Sequence, residues 1–229
     1  MPAVDVARRA EIGRMKRSRT RAQLIAAARQ VMVDKGHEAT IDDFIAAAGV
    51  ARGTFYNYFK SREEIVVSIK QDLTESLQAD VTVALKGVTG PAMRISEIMK
   101  VCIRKAAADP IWGELMIRLI SVGPIPNNPI ARRFAAELKS GRETGLFNFE
   151  SFSAAEDIVK GATLMAMRSV VRKDEPASHA EQVVFIVMRS LGMALTNTDA
   201  ICIESSIPSI SDSKQRINGN RRPRQAKQT

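Results

Sequence analysis

Apolar residues recur at intervals of three and four along most of the chain, and nowhere do they settle into a sustained period of two. That pattern predicts an all-α protein of about nine helices. From Thr20 to Val33 the buried positions are expected at Leu24, Ile25, Ala28, Val31 and Met32, with Gly36 ending the helix in a left-handed conformation. Thr40 offers an N-cap for a short helix that carries Asp42 and Asp43 in its first turn and ends at Gly49. A second short helix spans about Arg52 to Phe59. Ser61 and Glu64 then read as a capping box for a long helix reaching about Leu85. Gly87, Gly90 and Pro91 break the pattern. Pro91 opens a helix to about Ala108, and Asp109-Pro110 opens another to about Val122. Gly123-Pro124 and Asn128-Pro129 precede a helix that ends near Gly145. Ser153 with Glu156 and Ser178 with Glu181 predict two more capping boxes, opening helices over about 154–173 and 179–197. Beyond Ser205 the chain turns to Ser, Asn, Gln, Arg and Pro, the composition of a disordered tail.

The stretch from Thr40 to Phe59 carries the chemistry. Two short helices joined by a tight glycine turn form a helix-turn-helix pattern. Phe55 and Phe59 fall on one side of the second helix, where they can pack on Phe44 and Ile45. The opposite side presents Gly53, Thr54 and Asn57, flanked by Tyr56 and Tyr58, with no carboxylate among them. Such a face suits a DNA groove. Gly53 allows close backbone approach, and Arg52 can reach guanine O6 and N7. Thr54, Tyr56, Tyr58 and Lys60 can donate to phosphate oxygens.

Charge sharpens this reading. Residues 1–60 hold 11 Lys/Arg against 6 Asp/Glu, residues 61–204 hold 17 against 18, and residues 205–229 hold 6 against 1. A neutral body is therefore flanked by basic ends, the footprint of a part that meets a polyanion beside a part that does something else. Cys102 and Cys202 stand far apart with no CxxC or Cys/His cluster, which argues against a disulfide scaffold or a metal site and for a reducing, cytoplasmic setting. No apolar run approaches the roughly 18 residues of a membrane span, and the first twenty residues are basic with no apolar segment. No nucleotide-binding, metalloprotease or serine-hydrolase signature occurs, so neither catalytic residues nor a cofactor is expected.

Residues 20–66, TRAQLIAAARQVMVDKGHEATIDDFIAAAGVARGTFYNYFKSREEIV, resemble the N-terminal domain of the TetR family of bacterial transcriptional regulators. The resemblance lies in the first helix, Gly36, Thr40, the AGV turn, the GTFYNYF segment and the S-R-E-E-I that follows. It implies base-edge contacts from Arg52 and Gly53 and a base or phosphate contact from Thr54. It further implies phosphate contacts from Thr40, Tyr56, Tyr58, Lys60 and Arg62, with Asn57 in a variable position. One departure is Ala51, where the family often has a capping Ser or Thr.

Four parts are expected: a basic arm over 1–17, a helix-turn-helix domain over 18–64, an effector-binding and dimerisation domain over 65–204, and a basic tail over 205–229. Arm and tail would add non-specific DNA affinity. The resemblance implies a homodimer through the last two long helices on a near-palindromic operator of double-stranded DNA, and Val187 and Leu191 are expected at this dimerisation seam or in the core beneath it. Seven of the ten methionines lie between Met93 and Met193, and flexible thioethers suit an adaptable apolar pocket. Met99, Cys102, Trp112, Met116, Phe134 and Met165 are expected to line it, around a small, mostly apolar effector, with Arg104 or Arg118 as anchors for a single carboxylate. The long helix over 62–85 would alone couple pocket to DNA. A ligand-responsive repressor is thus expected. The competing readings are an activator and a constitutive DNA-binding protein without an effector.

Overall fold

The computed structural model describes residues 3–121, 128–176 and 178–194. Among these residues the chain forms nine α-helices and a single 3₁₀ turn, with no strand. Helix α1 runs from Ala3 to Lys35 and the 3₁₀ turn covers Gly36–Glu38; α2 (Ile41–Ala48), α3 (Arg52–Tyr56) and α4 (Arg62–Ala84) follow. The second half holds α5 (Pro91–Ala108), α6 (Pro110–Ser121), α7 (Pro129–Glu143), α8 (Phe152–Val171) and α9 (His179–Ser190). The tail expected over 205–229 lies outside the described residues.

Local chemistry accounts for most boundaries. The Thr40 hydroxyl accepts from the Asp43 amide, and the Asp43 carboxylate accepts from the Thr40 amide, closing a capping box on α2. Gly49 ends that helix at φ +63°, a left-handed conformation that costs glycine little. Ser61 caps α4 through the Glu64 amide; the Glu64 carboxylate takes the Lys60 amide instead of returning to Ser61. Pro91 starts α5, and Asn128 Oδ1 accepts from Ile130 and Ala131 at the head of α7.

Four boundaries differ from expectation. Helix α1 begins at Ala3, not near Thr20, and is continuous through the basic arm. Periodicity reports burial, and every residue from 11 to 19 is exposed, so this extension leaves no apolar imprint. The cap of α8 is Ser151, which accepts from the Ala154 amide; Ser153 sits inside the helix, and Glu156 pairs with Lys160 at 2.8 Å. Ser178 makes no side-chain cap, its own backbone being helical at φ −64° and ψ −13° and not extended, and the Glu181 carboxylate pairs with Arg104 on α5. Helix α9 stops at Ser190 rather than 197, where Gly192 turns the chain at φ +87°.

Helix α5 is the axis of the second half. It packs against α4, α6, α7, α8 and α9, and six successive residues, Ile95 to Lys100, are buried. The first half is a small three-helix unit with Leu24, Phe44, Phe55, Phe59 and Ile65 at its centre. Two elements join the halves. Helix α4 buries Ile65 and Ile69 at its start and Leu73, Leu77 and Val81 further on. Helix α6 packs on both α1 and α4, so α4 does not couple the halves alone. At this joint the Trp112 indole N–H donates to the Leu73 carbonyl at 3.2 Å, and Arg29 reaches Asp72 at 3.5 Å and Asp109 at 3.8 Å.

Gly113 is what lets α6 close on its neighbours. A Cβ there would lie 2.6 Å from Val171 Cγ2 and 3.1 Å from the Ala106 Cβ. Alanine is the better helix former by about 1 kcal/mol, yet overpacking of this kind costs about 1–3 kcal/mol. Gly113→Ala is therefore expected to lower stability in a urea titration, whereas the same change at the open position Gly161 is expected to raise it.

Candidate functional site

Helix α3 stands on α2 through its aromatic side. Phe55 and Phe59 are buried with ring centroids 5.8 Å apart, and the Arg21 guanidinium lies 5.5 Å from the Phe59 centroid. Gln23 on α1 donates to the Ala48 carbonyl at 2.9 Å, fixing the end of α2 where the turn begins. With one side held, the other is free. Arg52, Gly53, Tyr56, Asn57 and Lys60 are exposed, as is Thr40 across the turn, while Thr54 and Tyr58 are half-buried. All of these lie at the edges of one helix-turn-helix surface. Helix α3 begins at Ala51 with no side-chain cap, and only the Ala51 carbonyl engages its first turn, accepting from Thr54 and Phe55.

Two cations on this surface have work that the sequence did not announce. Arg52 Nη1 sits 3.2 Å from Asp42 Oδ1, and the Tyr56 hydroxyl, followed by Asp42, raises its already high affinity for the proton. Arg62 is half-buried and donates to the carbonyls of Ala39 at 2.7 Å and His37 at 3.0 Å. It thus braces the head of α4 against the loop before α2, in addition to the phosphate contact expected of it. The backbone carbonyls it meets lie more than twenty residues upstream, beyond the reach of any local pattern.

The second feature lies inside. A partly open cavity of about 300 Å³ is lined by α4, α5, α6, α7 and α8. Of the expected lining residues, Cys102, Met116 and Phe134 border it. Met99 and Trp112 are buried in the surrounding core instead, Trp112 held by its bond to Leu73 and by Lys105 Nζ 5.3 Å from its ring. Met165 is 53% exposed on the outer side of α8. Its neighbours Leu164 and Met167 take the cavity wall, because one residue is about 100° of helical rotation. Desolvation pushes the Cys102 thiol up to about 12, so it is a neutral, apolar wall atom. Arg104 and Arg118 do not border the cavity; the first pairs with Glu181 and the second with Glu114 at 2.6 Å.

The last two helices divide their apolar residues between an inner and an outer side. Val187 and Leu191 are buried in this chain's own core, the second of the two places expected for them. The apolar residues left outside are Ile158 and Met165 on α8 and Ile186 on α9. A helix that is apolar nearly all round has two candidate faces, and only packing against α5 and α8 decides which turns inward. Among the described residues no helix is long and apolar enough to cross a membrane, and no three His, Cys, Asp or Glu gather as a metal site would require.

Residues 24–69 match the family described as bacterial regulatory proteins, tetR family. Residues 24–69 thus form a TetR-type domain. It is 34% identical over 83 residues to the transcriptional activator FasR of Mycolicibacterium smegmatis, covering 36% of this chain and 38% of that protein. It is 31% identical over 81 residues to the transcriptional repressor DhaR of Mycobacterium sp. strain GP1, covering 35% and 41%. The matches thus span well under half the length of either relative. Similarity to a solved structure reaches further: RolR in complex with its ligand resorcinol is 26% identical with a TM-score of 0.59, over 86% of this chain and 98% of that one. The relatives with assigned activities are transcriptional regulators rather than enzymes.

Asp43 gives the TetR-type domain a pH signature. Lys35, and then the Thr40 amide and hydroxyl, lower its carboxyl from 3.8 to about 2. A depressed carboxyl contributes stability that is fully present above its unfolded value and is lost as pH falls through the folded one. Asp43→Asn is expected to lower the melting temperature at pH 7, and the gap from wild type should close between 3.8 and about 2, as followed by circular dichroism.

Proposed function

We propose that this chain acts in the cytoplasm as a homodimeric, ligand-responsive transcriptional regulator that represses by binding a near-palindromic operator through α3. The observation that carries the proposal is the pairing of an exposed helix-turn-helix surface with a partly open apolar cavity through shared helices. Thr74 and Leu77 of α4, and Met116 and Ile120 of α6, line the cavity, while the same helices pack on α1 in the helix-turn-helix unit. A molecule that spreads or tightens these walls must therefore bear on the unit that carries Arg52. A coupling of about 1–3 kcal/mol changes operator affinity 5–150-fold, and operator must weaken or strengthen the ligand by the same factor. The resorcinol-bound RolR structure supports occupancy by a small molecule, and DhaR supports repression, whereas FasR keeps activation as the second reading.

In this reading Arg52 exchanges Asp42 for a base edge, Gly53 and Thr54 approach the groove, and Thr40, Tyr56, Tyr58, Lys60 and Arg62 hold phosphates. Asn57 lies on the same surface and reads its border. The four parts of the chain keep these roles, with the arm as a basic helical extension that adds affinity without sequence choice. Dimerisation uses Ile158, Met165 and Ile186, apolar side chains that water otherwise surrounds. Two-fold symmetry then sets the two α3 helices one DNA turn apart, roughly 34–36 Å.

Two measurements test this. Against a duplex selected from a random library by the purified protein, Arg52→Ala is expected to weaken binding about 10–100-fold and to relax preference at one position per half-site. Tyr56→Phe should weaken all duplexes alike; a silent Arg52→Ala would remove α3 as the reading helix. Ile158→Glu, at a site already exposed in the single chain, is expected to leave the fold intact and to produce monomers in sedimentation at micromolar concentration. A dimer that persists would place the interface elsewhere.

A further inference from the structure

Thr74 and Thr163 face the cavity from α4 and α8, and both are buried. Each hydroxyl already spends its proton inside its own helix. Thr74 Oγ1 donates to the Lys70 carbonyl at 2.8 Å, and Thr163 Oγ1 donates to the Val159 carbonyl at 2.7 Å. What each oxygen still offers the cavity is lone pairs. The other polar residues at the wall do not reverse this bias. Asp157 is an exposed carboxylate, and Lys160 is paired with Glu156 at 2.8 Å, so these three neighbours carry a net negative charge. The Asn128 carbonyl oxygen is consumed in capping α7, which leaves its amide N–H groups as donors from a half-buried position. The remaining wall is apolar: Leu77, Cys102, Met116, Ile130, Phe134 and Met167 among others.

We infer that the cavity selects a small, uncharged, ring-bearing molecule that brings its own hydrogen-bond donors, a phenol or a similarly hydroxylated hydrocarbon, and rejects carboxylates and phosphate esters of equal size. The inference rests on the reading of this cavity as the effector site. A volume of about 300 Å³ is at the small end of ligand pockets, enough for a compact molecule with a short apolar extension. A phenolic O–H placed against either threonine finds an acceptor. A carboxylate in the same place would meet further lone pairs, and its lost hydration would go unreplaced. To serve such an anion a threonine would have to surrender its helix bond, and Arg104 and Arg118 are paired away from the cavity.

The test uses the full chain and three probes of matched shape: 4-propylphenol, 4-propylanisole and 4-propylbenzoate, followed by calorimetry and thermal shift. The phenol is expected to bind about tenfold more tightly than the methyl ether, with no measurable binding of the benzoate. Thr163→Val and Thr74→Val keep the shape and remove the acceptor. Each is expected to bring phenol binding down toward that of the ether while leaving the ether unchanged, a pattern that general loosening of the fold would not give. Leu164→Trp, which fills the cavity, should abolish binding of all probes. Equal or tighter binding of the ether or benzoate, or phenol binding indifferent to both threonines, overturns the ligand class and leaves the cavity as a ligand site. If none of the three binds at saturation, the cavity does not accept molecules of this size, and the effector-site reading falls as well.

Discussion

Ile65, Ile69, Leu73, Leu77 and Val81 are all buried on one helix, in a single core that runs on from the helix-turn-helix unit into the second half. Helix α4 has 23 residues, about 35 Å at the usual rise, so its first turns lie within the helix-turn-helix unit and its later turns within the α5-centred bundle. A helix of this length bends little unless glycine or proline interrupts it, and neither occurs between Arg62 and Ala84. The two halves therefore share one helix as well as one core. The Trp112–Leu73 bond and the reach of Arg29 to Asp72 and Asp109 lie where the two meet, so the most specific polar contacts of the joint bind helices that belong to different halves.

Much of this arrangement was legible in the chain. Thr40 with Asp43, the left-handed Gly49, Ser61, Pro91 and Asn128 act through neighbours within four residues, and such signals survive any tertiary context. The buried aromatic residues Phe44, Phe55 and Phe59 follow from rotation per residue alone. What failed was whatever depended on distant partners. Glu181 reads as the far half of a capping box, yet its carboxylate pairs with Arg104, 77 residues away. Arg62 reads as a phosphate ligand alone, and its second task, on the carbonyls of His37 and Ala39, emerges only in the fold.

The inner cavity and the outer apolar face show the same limit from another side. Periodicity separates the two sides of a helix but does not say which neighbour each will meet. Met165 and Leu164 differ only by one step around α8, yet one is in solvent and the other borders the cavity. Val187 and Ile186 are divided in the same way on α9. The long exposed start of α1 is the converse case, a helix formed by residues of good propensity with nothing to bury, and so without a periodic signature.

The position of Cys102 has a consequence for the kind of signal this protein can register. Thiols react with oxidants and electrophiles as thiolates, and burial that holds this one up to about 12 removes that species at neutral pH. Its sulfur therefore serves the pocket as part of an apolar wall and not as a nucleophile. What such a wall can offer is contour and the hydrogen bonds of Thr74, Thr163 and Asn128, with no covalent chemistry from its one thiol.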